Sequence, residues 1–96
     1  MLDKIKQLME IKKQADKIKQ ELDAIIVDVN EVAGIKVQAT GAQHFRSVQI
    51  DEKLLNTANK TRLENDLVRS LNAAIKKSQL LAAEKMKNVM PGLPGL

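Results

Sequence analysis

Residues 25–55 constrain the fold of this chain more than any other stretch, because they are the only part of the sequence without a helical pattern. In them β-branched residues alternate with polar ones, which is typical of strands that bury one face. Two dipeptides, Ala33-Gly34 and Thr40-Gly41, interrupt the alternation and predict turns. The predicted strands are Ile25–Val32, Ile35–Thr40 and His44–Asp51.

The connections between these strands are short, so we expect an antiparallel meander with one buried face. Phe45, the one aromatic residue of the chain, is out of phase with Val48 and Ile50. That mismatch predicts a β-bulge or a strand with two apolar faces. We expect the helices or a second copy of the chain to cover the sheet.

The segment before the strands predicts a long helix. From Leu2 to Ile25 there is no Gly or Pro, and apolar residues repeat every seven residues in two series. Such a repeat is typical of a helix that packs along a partner helix. The two series are Leu8, Ala15 and Leu22, and Ile11, Ile18 and Ile25.

A short irregular connection precedes a second long helix. Asp51 is expected to cap a brief turn at residues 52–55, and a polar break follows it. The second helix is expected to begin with a capping box at Thr61, or one turn earlier with Asn59 as its cap.

The second helix is expected to run to Val89, because Pro91 cannot continue it. The chain therefore predicts one small α+β domain over residues 1–90, ordered as helix, three strands and helix. Residues 91–96 hold two prolines and two glycines, so we expect a flexible tail there. The alternative is that the apolar residues of the tail dock on a partner.

The basic charge is concentrated in the C-terminal half of the chain. The net charge is +4, but residues 52–96 hold eight Lys and Arg against four Asp and Glu, whereas residues 1–51 hold eight of each. This asymmetry favours an anionic partner, either a nucleic acid or a membrane surface.

A helical wheel of the second helix separates an apolar face, which contains Leu63, Leu67 and Leu71, from a basic face. The basic side chains fall within about 40° of one another on the wheel and suit the phosphates of a duplex. The alternative is that they only keep an exposed helix soluble, and their spacing does not decide between the two. The predicted DNA contacts are Arg62, Arg69, Lys76 and Lys87, with Lys77 beside them, and Lys13 and Lys17 of the first helix.

The sequence offers no pattern for catalysis or for a cofactor. It has no cysteine, no Gly-rich phosphate loop and no Cys/His spacing for a metal, and His44 is the only histidine. One Phe with no Tyr or Trp disfavours a base-stacking platform for single strands. Neither a signal peptide nor a bilayer-spanning apolar run is present, so we expect a cytoplasmic protein without a small-molecule substrate.

Three stretches of the chain are similar to one known family. They are Val48-Gln49-Ile50-Asp51 with Leu54-Leu55, the run L-V-R-S-L-N-A-A at residues 67–74, and the terminal M-P-G-L-P-G-L. In these stretches, and in its order of helix, strands and helix, the chain resembles the YbaB/EbfC family of bacterial nucleoid-associated proteins. The resemblance covers essentially the whole chain. That family has more glycine where this chain has Ala33-Gly34, which predicts a tighter first hairpin here.

The resemblance implies an intertwined homodimer with projecting helical arms. It also implies binding to double-stranded DNA in the nucleoid, a change in DNA conformation, a role in gene regulation, and neither a cofactor nor catalytic residues. The residues predicted at the dimer interface are apolar: Leu8, Ile11, Ile18, Leu22, Val29, Val37, Val48, Ile50 and Leu71.

Two other functions stay open at this point. Prefoldin subunits also place strands between two long helices, so a protein-interaction or holdase module is the main alternative. Attachment to a membrane surface through the basic helix ranks last, because its outer face lacks the belt of Trp, Phe and Leu that such binding uses.

Overall fold

The structure is a computed structural model that describes residues 2–89, so the predicted flexible tail lies outside the described range. The predicted α+β architecture is confirmed: a three-stranded antiparallel sheet stands between two helices. The elements are α1 (Leu2–Asp23), β1 (Ile26–Val32), β2 (Ile35–Thr40), β3 (Phe45–Ile50) and α2 (Lys60–Val89). Two short 3-10 helices, Glu52–Leu54 and Thr57–Asn59, connect β3 to α2.

The sheet has the strand order β1-β2-β3, and a bulge sets which side chains of β3 share a face. Ser47 is opposite Gln38, but the next residue of β2, Ala39, is opposite Phe45. Arg46 is therefore the extra residue of a β-bulge, which brings Phe45 to the same side of the sheet as Val48. The bulge predicted from the phase of Phe45 is confirmed.

The first hairpin has a two-residue connection, because Val32 is opposite Ile35. Gly34 has a φ of +88°, in the region that glycine adopts without steric cost. Its carbonyl accepts a hydrogen bond from the backbone N–H of Asp51 at 2.8 Å, so this turn is also tied to the end of β3.

The core lies between α2 and one face of the sheet. Val27 and Val29 of β1 and Ile35 and Val37 of β2 are buried there, beneath Ala74 of α2. Because α2 packs on β1 and β2, the same face of β3 is left uncovered. Two apolar side chains of that face, Phe45 and Val48, are 46% and 42% exposed.

The start of α2 differs in part from the prediction. Asp51 does cap the preceding turn, since its side chain accepts from the N–H of Lys53 at 3.0 Å. Thr61, however, lies inside α2, which begins at Lys60, so the capping box predicted at Thr61 is wrong. Asn59 precedes the helix, and its side-chain nitrogen donates to the carbonyl of Leu54 at 2.9 Å, which joins the helix start to the turn before it.

Only the C-terminal end of α1 is packed against the rest of the chain. Ile18 and Leu22 are buried against Ala82 and Met86 of α2, whereas residues 2–17 are exposed. The described chain measures 65 × 20 × 19 Å. A 22-residue helix is roughly 33 Å long, so α1 must run along the long axis, and its exposed part must extend beyond the end of α2. We call residues 2–17 the α1 arm.

Candidate nucleic-acid interface

The candidate interface is the exposed face of α2. Ser70, Ala74 and Ser78 are buried on the face that meets the sheet, because their small side chains allow the helix to approach the strands closely. The basic row, which we define as Arg62, Arg69, Lys76 and Lys87, is exposed. The first and last members of the row, Arg62 and Lys87, are 25 residues apart, which is about 38 Å along a helix.

Two members of the basic row lie near acids but stay accessible. Arg62 Nε is 3.8 Å from Asp66 Oδ2, and Arg69 Nη2 is 4.0 Å from Glu31 Oε1. Both separations are long for a charge-assisted hydrogen bond. Exposed pairs of this kind are typically worth about 0–1 kcal/mol, so a stronger anionic ligand can replace the acids.

The other lysines of α2 differ in how far they are engaged. In the part of the chain that the structure describes, Lys76 and Lys87 have no carboxylate within salt-bridge distance. Lys77, which the wheel placed beside the row, donates from Nζ to the backbone carbonyl of Asp28 at 3.0 Å. It therefore bridges α2 to β1 at the side of the helix, and Lys76 is the better candidate for an external anion.

The two candidate lysines of the first helix, Lys13 and Lys17, are exposed on the α1 arm. They do not belong to the α2 row, since the arm meets α2 only at its C-terminal end. A groove on the arm is lined by Lys13 and two further lysines, but Glu10 and Asp16 line it as well. The local charge on the arm is thus mixed, whereas the α2 row is mainly positive.

The residues predicted at a dimer interface fall into two groups. Ile18, Leu22, Val29 and Val37 are buried within the single chain. The packing of one chain accounts for their apolar character, and a contact of these residues with a second copy stays a prediction. Leu71 is half-buried against the same core, and Ile50 is half-buried on β3, whereas Leu8, Ile11 and Val48 are exposed.

A polar cluster that the sequence did not reveal joins α1 to the turn between β2 and β3. His44 Nδ1 lies 2.8 Å from Asp23 Oδ1, and Thr40 Oγ1 donates to the same oxygen at 2.9 Å. Since a carboxylate only accepts, the Nδ1 of His44 carries the proton. These two hydrogen bonds, that of His44 above all, lower the pKa of the Asp23 carboxyl. The cluster holds the end of α1 in place and therefore contributes to the direction of the arm.

Other kinds of site are not found in the described residues. Over residues 2–89 no three His, Asp or Glu side chains lie where they could hold one metal ion. Within the same range, neither helix is long and apolar enough to cross a membrane. The exposed row of α2 places four cations on one face of a described helix.

Residues 1–93 of the chain match the YbaB/EbfC DNA-binding family. The chain belongs to that family. Its relatives include a nucleoid-associated protein of Dictyoglomus turgidum, 30% identical over 94% of this chain and 88% of the relative. Another, from Thermodesulfovibrio yellowstonii, is 32% identical over 91% of this chain and 88% of the relative. A third, from Chloroflexus aurantiacus, is 31% identical over 91% of this chain and 88% of the relative.

A solved structure shares the fold. It is the crystal structure of the uncharacterized protein HP0035 from Helicobacter pylori, with a TM-score of 0.64 and 23% sequence identity. The similarity covers 86% of this YbaB/EbfC chain and 93% of the other. At this level of identity the likeness concerns the fold alone.

Proposed function

We propose that this protein binds double-stranded DNA through phosphate contacts of the basic row on α2. The observation that carries the proposal is a line of exposed cations on a 30-residue helix whose opposite face is fixed to the sheet. A fixed helix holds its cations in place before binding, so little conformational entropy is lost when phosphates replace their counterions. The row is about 38 Å long, close to one turn of B-DNA at about 34 Å.

The residues of the row favour backbone contacts over base readout. Arg and Lys at intervals of about 10 to 17 Å can neutralise phosphates in any sequence, and such contacts position a protein without specifying bases. We therefore expect weak sequence preference and strong dependence on salt. The family is a DNA-binding family, and the named relatives are nucleoid-associated proteins, which supports a location in the nucleoid of the cytoplasm. A change in DNA conformation and an effect on gene expression are part of the same proposal.

The test is a salt titration of binding to a random-sequence duplex, followed by fluorescence anisotropy. Each lost phosphate contact should reduce the slope of log affinity against log salt by about 0.9, so Arg69→Gln with Lys76→Gln should reduce it by about 1.8 for each row that contacts the duplex. The matched control is Lys36→Gln with Lys53→Gln, which removes the same charge from exposed positions outside α2.

The comparison between the two double variants decides the outcome. A loss confined to the α2 variant supports the row as the interface, whereas equal losses would mean that only total charge matters. If neither variant binds differently from the natural chain, the row has no part in binding. Salt-insensitive DNA binding together with suppressed aggregation of a client protein would favour the holdase alternative instead.

We also propose that the protein is a homodimer, with a second copy covering the exposed face of β3. Phe45 and Val48 stand side by side on that face, and α2 of the same chain packs mainly on the neighbouring strands. An apolar sheet face next to an existing core is the kind of surface that a symmetric partner buries. This arrangement would place two basic rows on one particle.

Light scattering tests the dimer. The variant Phe45→Ser with Val48→Ser should have the mass of one chain, while Leu55→Ser with Val68→Ser, which changes two more exposed apolar residues elsewhere, should keep the mass of two. Circular dichroism checks that both variants stay helical. A dimer that survives the β3 substitutions would refute this interface.

A further inference from the structure

A line of amide side chains runs along the exposed face of α2 beside the basic row. Asn65, Asn72 and Gln79 are exposed and follow one another at intervals of seven residues, so they lie on one side of the helix. Each of them comes three residues after a cation of the basic row, in the order Arg62, Arg69 and Lys76. Residues three apart are neighbours on a helix surface, so α2 presents three cation–amide pairs. We call Asn65, Asn72 and Gln79 the amide line.

The amide line lies at the outermost part of α2. Ala74 is fully buried where the helix meets the sheet, so the direction opposite to Ala74 points away from the sheet. At 100° per residue, Asn65 lies in that direction, and the other two amides lie within about 40° of it on one side. The basic row lies within about 60° of it on the other side. A ligand that approaches α2 from outside therefore meets both lines together.

The two sides of this exposed face differ in charge. The side next to the basic row faces β1 and is acidic, since Glu31 and Asp66 lie near cations of the row and Glu84 lines the groove between α2 and β1. Beyond the amide line, the first acid on the wheel is Glu64, and Lys60 pairs with it at 3.2 Å. Because carboxylates repel phosphates, a duplex held by the basic row is favoured over the amide line rather than over β1.

The two asparagines of the amide line lower the stability of α2 without a contact that offsets the loss. Asn favours the α-helix less than Lys, Glu or Gln does, because its short side chain competes for backbone hydrogen bonds. Asn65 and Asn72 nevertheless occupy exposed positions inside a 30-residue helix. Within residues 2–89, no side-chain hydrogen bond involves an amide of the line. The donors and acceptors of these amides are therefore available to an external ligand.

The chemistry and the spacing of the amide line suit the major groove of DNA. An Asn or Gln amide both donates and accepts, so it can bind N6 and N7 of one adenine at the same time. An α-helix of about 10–12 Å diameter fits the major groove, which is about 12 Å wide. Amides seven residues apart are about 10.5 Å apart along the helix, close to the rise of about 10 Å for three base pairs.

We propose that the amide line recognises adenines in the major groove while the basic row holds the phosphates at the edge of that groove. This inference rests on the proposed binding of DNA by α2. The basic row alone gives weak sequence preference, and the amide line adds a preference for adenines about three base pairs apart. Asn72 contributes most, because it is the middle member and a straight helix leaves the curved groove at both ends.

Selection from a pool of random-sequence duplexes tests the preference. The natural chain should enrich adenines about three base pairs apart, and the variant Asn65→Ala, Asn72→Ala, Gln79→Ala should lose this enrichment. The variant should keep its salt slope, because the basic row is intact, and its helix, because Ala favours helix more than Asn or Gln. The matched control is Gln7→Ala, Gln14→Ala, Gln20→Ala, which removes three exposed amides from α1 and should keep the enrichment.

A modified base tests the contact itself. Replacement of the adenines in a selected duplex by 7-deazaadenine removes the N7 acceptor and leaves base pairing intact. The affinity of the natural chain, measured by fluorescence anisotropy, should fall at least about five-fold, because each amide then loses one of its two hydrogen bonds. The affinity of the triple variant of the amide line should be the same for both duplexes.

The outcomes separate this inference from the proposed function. Row-dependent, salt-sensitive binding without base enrichment, or with the same enrichment in the triple variant, would overturn base recognition by the amide line and leave the phosphate contacts standing. Equal affinity of the natural chain for the adenine and 7-deazaadenine duplexes would also overturn it. An absence of salt-sensitive binding in the natural chain would refute the proposed function, and this inference with it.

Discussion

Gly41 lies where α1, the β2–β3 turn and α2 meet, and its replacement by alanine should destabilise the whole chain. A Cβ at this position would lie 2.9 Å from the backbone oxygen of Leu22, 3.1 Å from Leu22 Cδ2 and 3.2 Å from Leu81 Cδ2. Ordinary contact begins at 3.4 Å, so the oxygen would have to move by 3.4 − 2.9 = 0.5 Å. It accepts from the N–H of Ile25 at 3.0 Å, and Gly41 itself donates to the Ile25 carbonyl at 3.1 Å. The end of α1 therefore cannot recede without straining both hydrogen bonds.

The expected cost follows from these contacts. Overpacking of a buried site lowers the free energy of unfolding by about 1–3 kcal/mol. A Gly→Ala substitution also raises it by about 0.4–1 kcal/mol, because it reduces the conformational entropy of the unfolded chain. Gly41→Ala should therefore lower the free energy of unfolding by about 1–2 kcal/mol. In a domain of this size that lowers Tm by about 4–16 °C. Urea unfolding followed by circular dichroism measures the loss as a lower midpoint at constant slope.

A double-mutant cycle separates the two causes of the Gly41→Ala loss. Leu81→Ala removes one of the crowded side chains but leaves the Leu22 oxygen, so it should not rescue Gly41→Ala. Full rescue would show that Leu81 sets the crowding, and an unchanged midpoint for Gly41→Ala alone would refute the reasoning about this position.

Two further predictions concern the polar contacts of Thr40. Ser78 donates from Oγ to the buried Thr40 carbonyl at 2.8 Å, and the N–H of Gln43 donates to the same carbonyl at 3.0 Å. Because that second hydrogen bond remains, Ser78→Ala should lower the free energy of unfolding in urea by only about 0.5–1.5 kcal/mol. The control Ser47→Ala, at an exposed position, should leave it unchanged. The lowered pKa of Asp23 means that its contribution to stability is complete above about pH 3.8 and is lost as the pH falls through the lower folded-state pKa. Urea midpoints measured down to pH 2 should therefore fall less steeply with acid in Asp23→Asn than in the natural chain, and parallel curves would contradict the role of the His44 contact.

The strands and the exposed face of α2 could be predicted because both depend on local periodicity. Alternation located all three strands, and the phase of one residue, Phe45, was enough to predict the bulge. Helical periodicity likewise separated the buried face of α2, centred on Ala74, from the row that includes Arg69.

Periodicity could not predict what covers an apolar face. The heptads of α1 look the same at Ile11 and at Ile18, yet only Ile18 lies within reach of α2. That difference depends on where α2 ends after it has crossed the sheet, which is a property of the tertiary fold. The contact between Asp23 and His44 was equally hidden, because the two residues are 21 positions apart and neither belongs to a repeating pattern.

The bulge at Arg46 makes β3 tolerant of the loss of one residue at this position. Arg46 is an exposed arginine, so its substitution by another polar residue changes little in the packing of the chain. Its deletion would remove only the extra residue, so Phe45, Ser47 and Val48 would alternate regularly, and Phe45 would stay opposite Ala39 on the side that holds Val48. His44 precedes the bulge, and its carbonyl accepts from the N–H of Thr40 at 2.8 Å, so the same deletion should leave it beside Asp23 on α1. In this strand the loss of Arg46 therefore spares both the apolar face of the sheet and the anchor of the arm, as a substitution at the same position does.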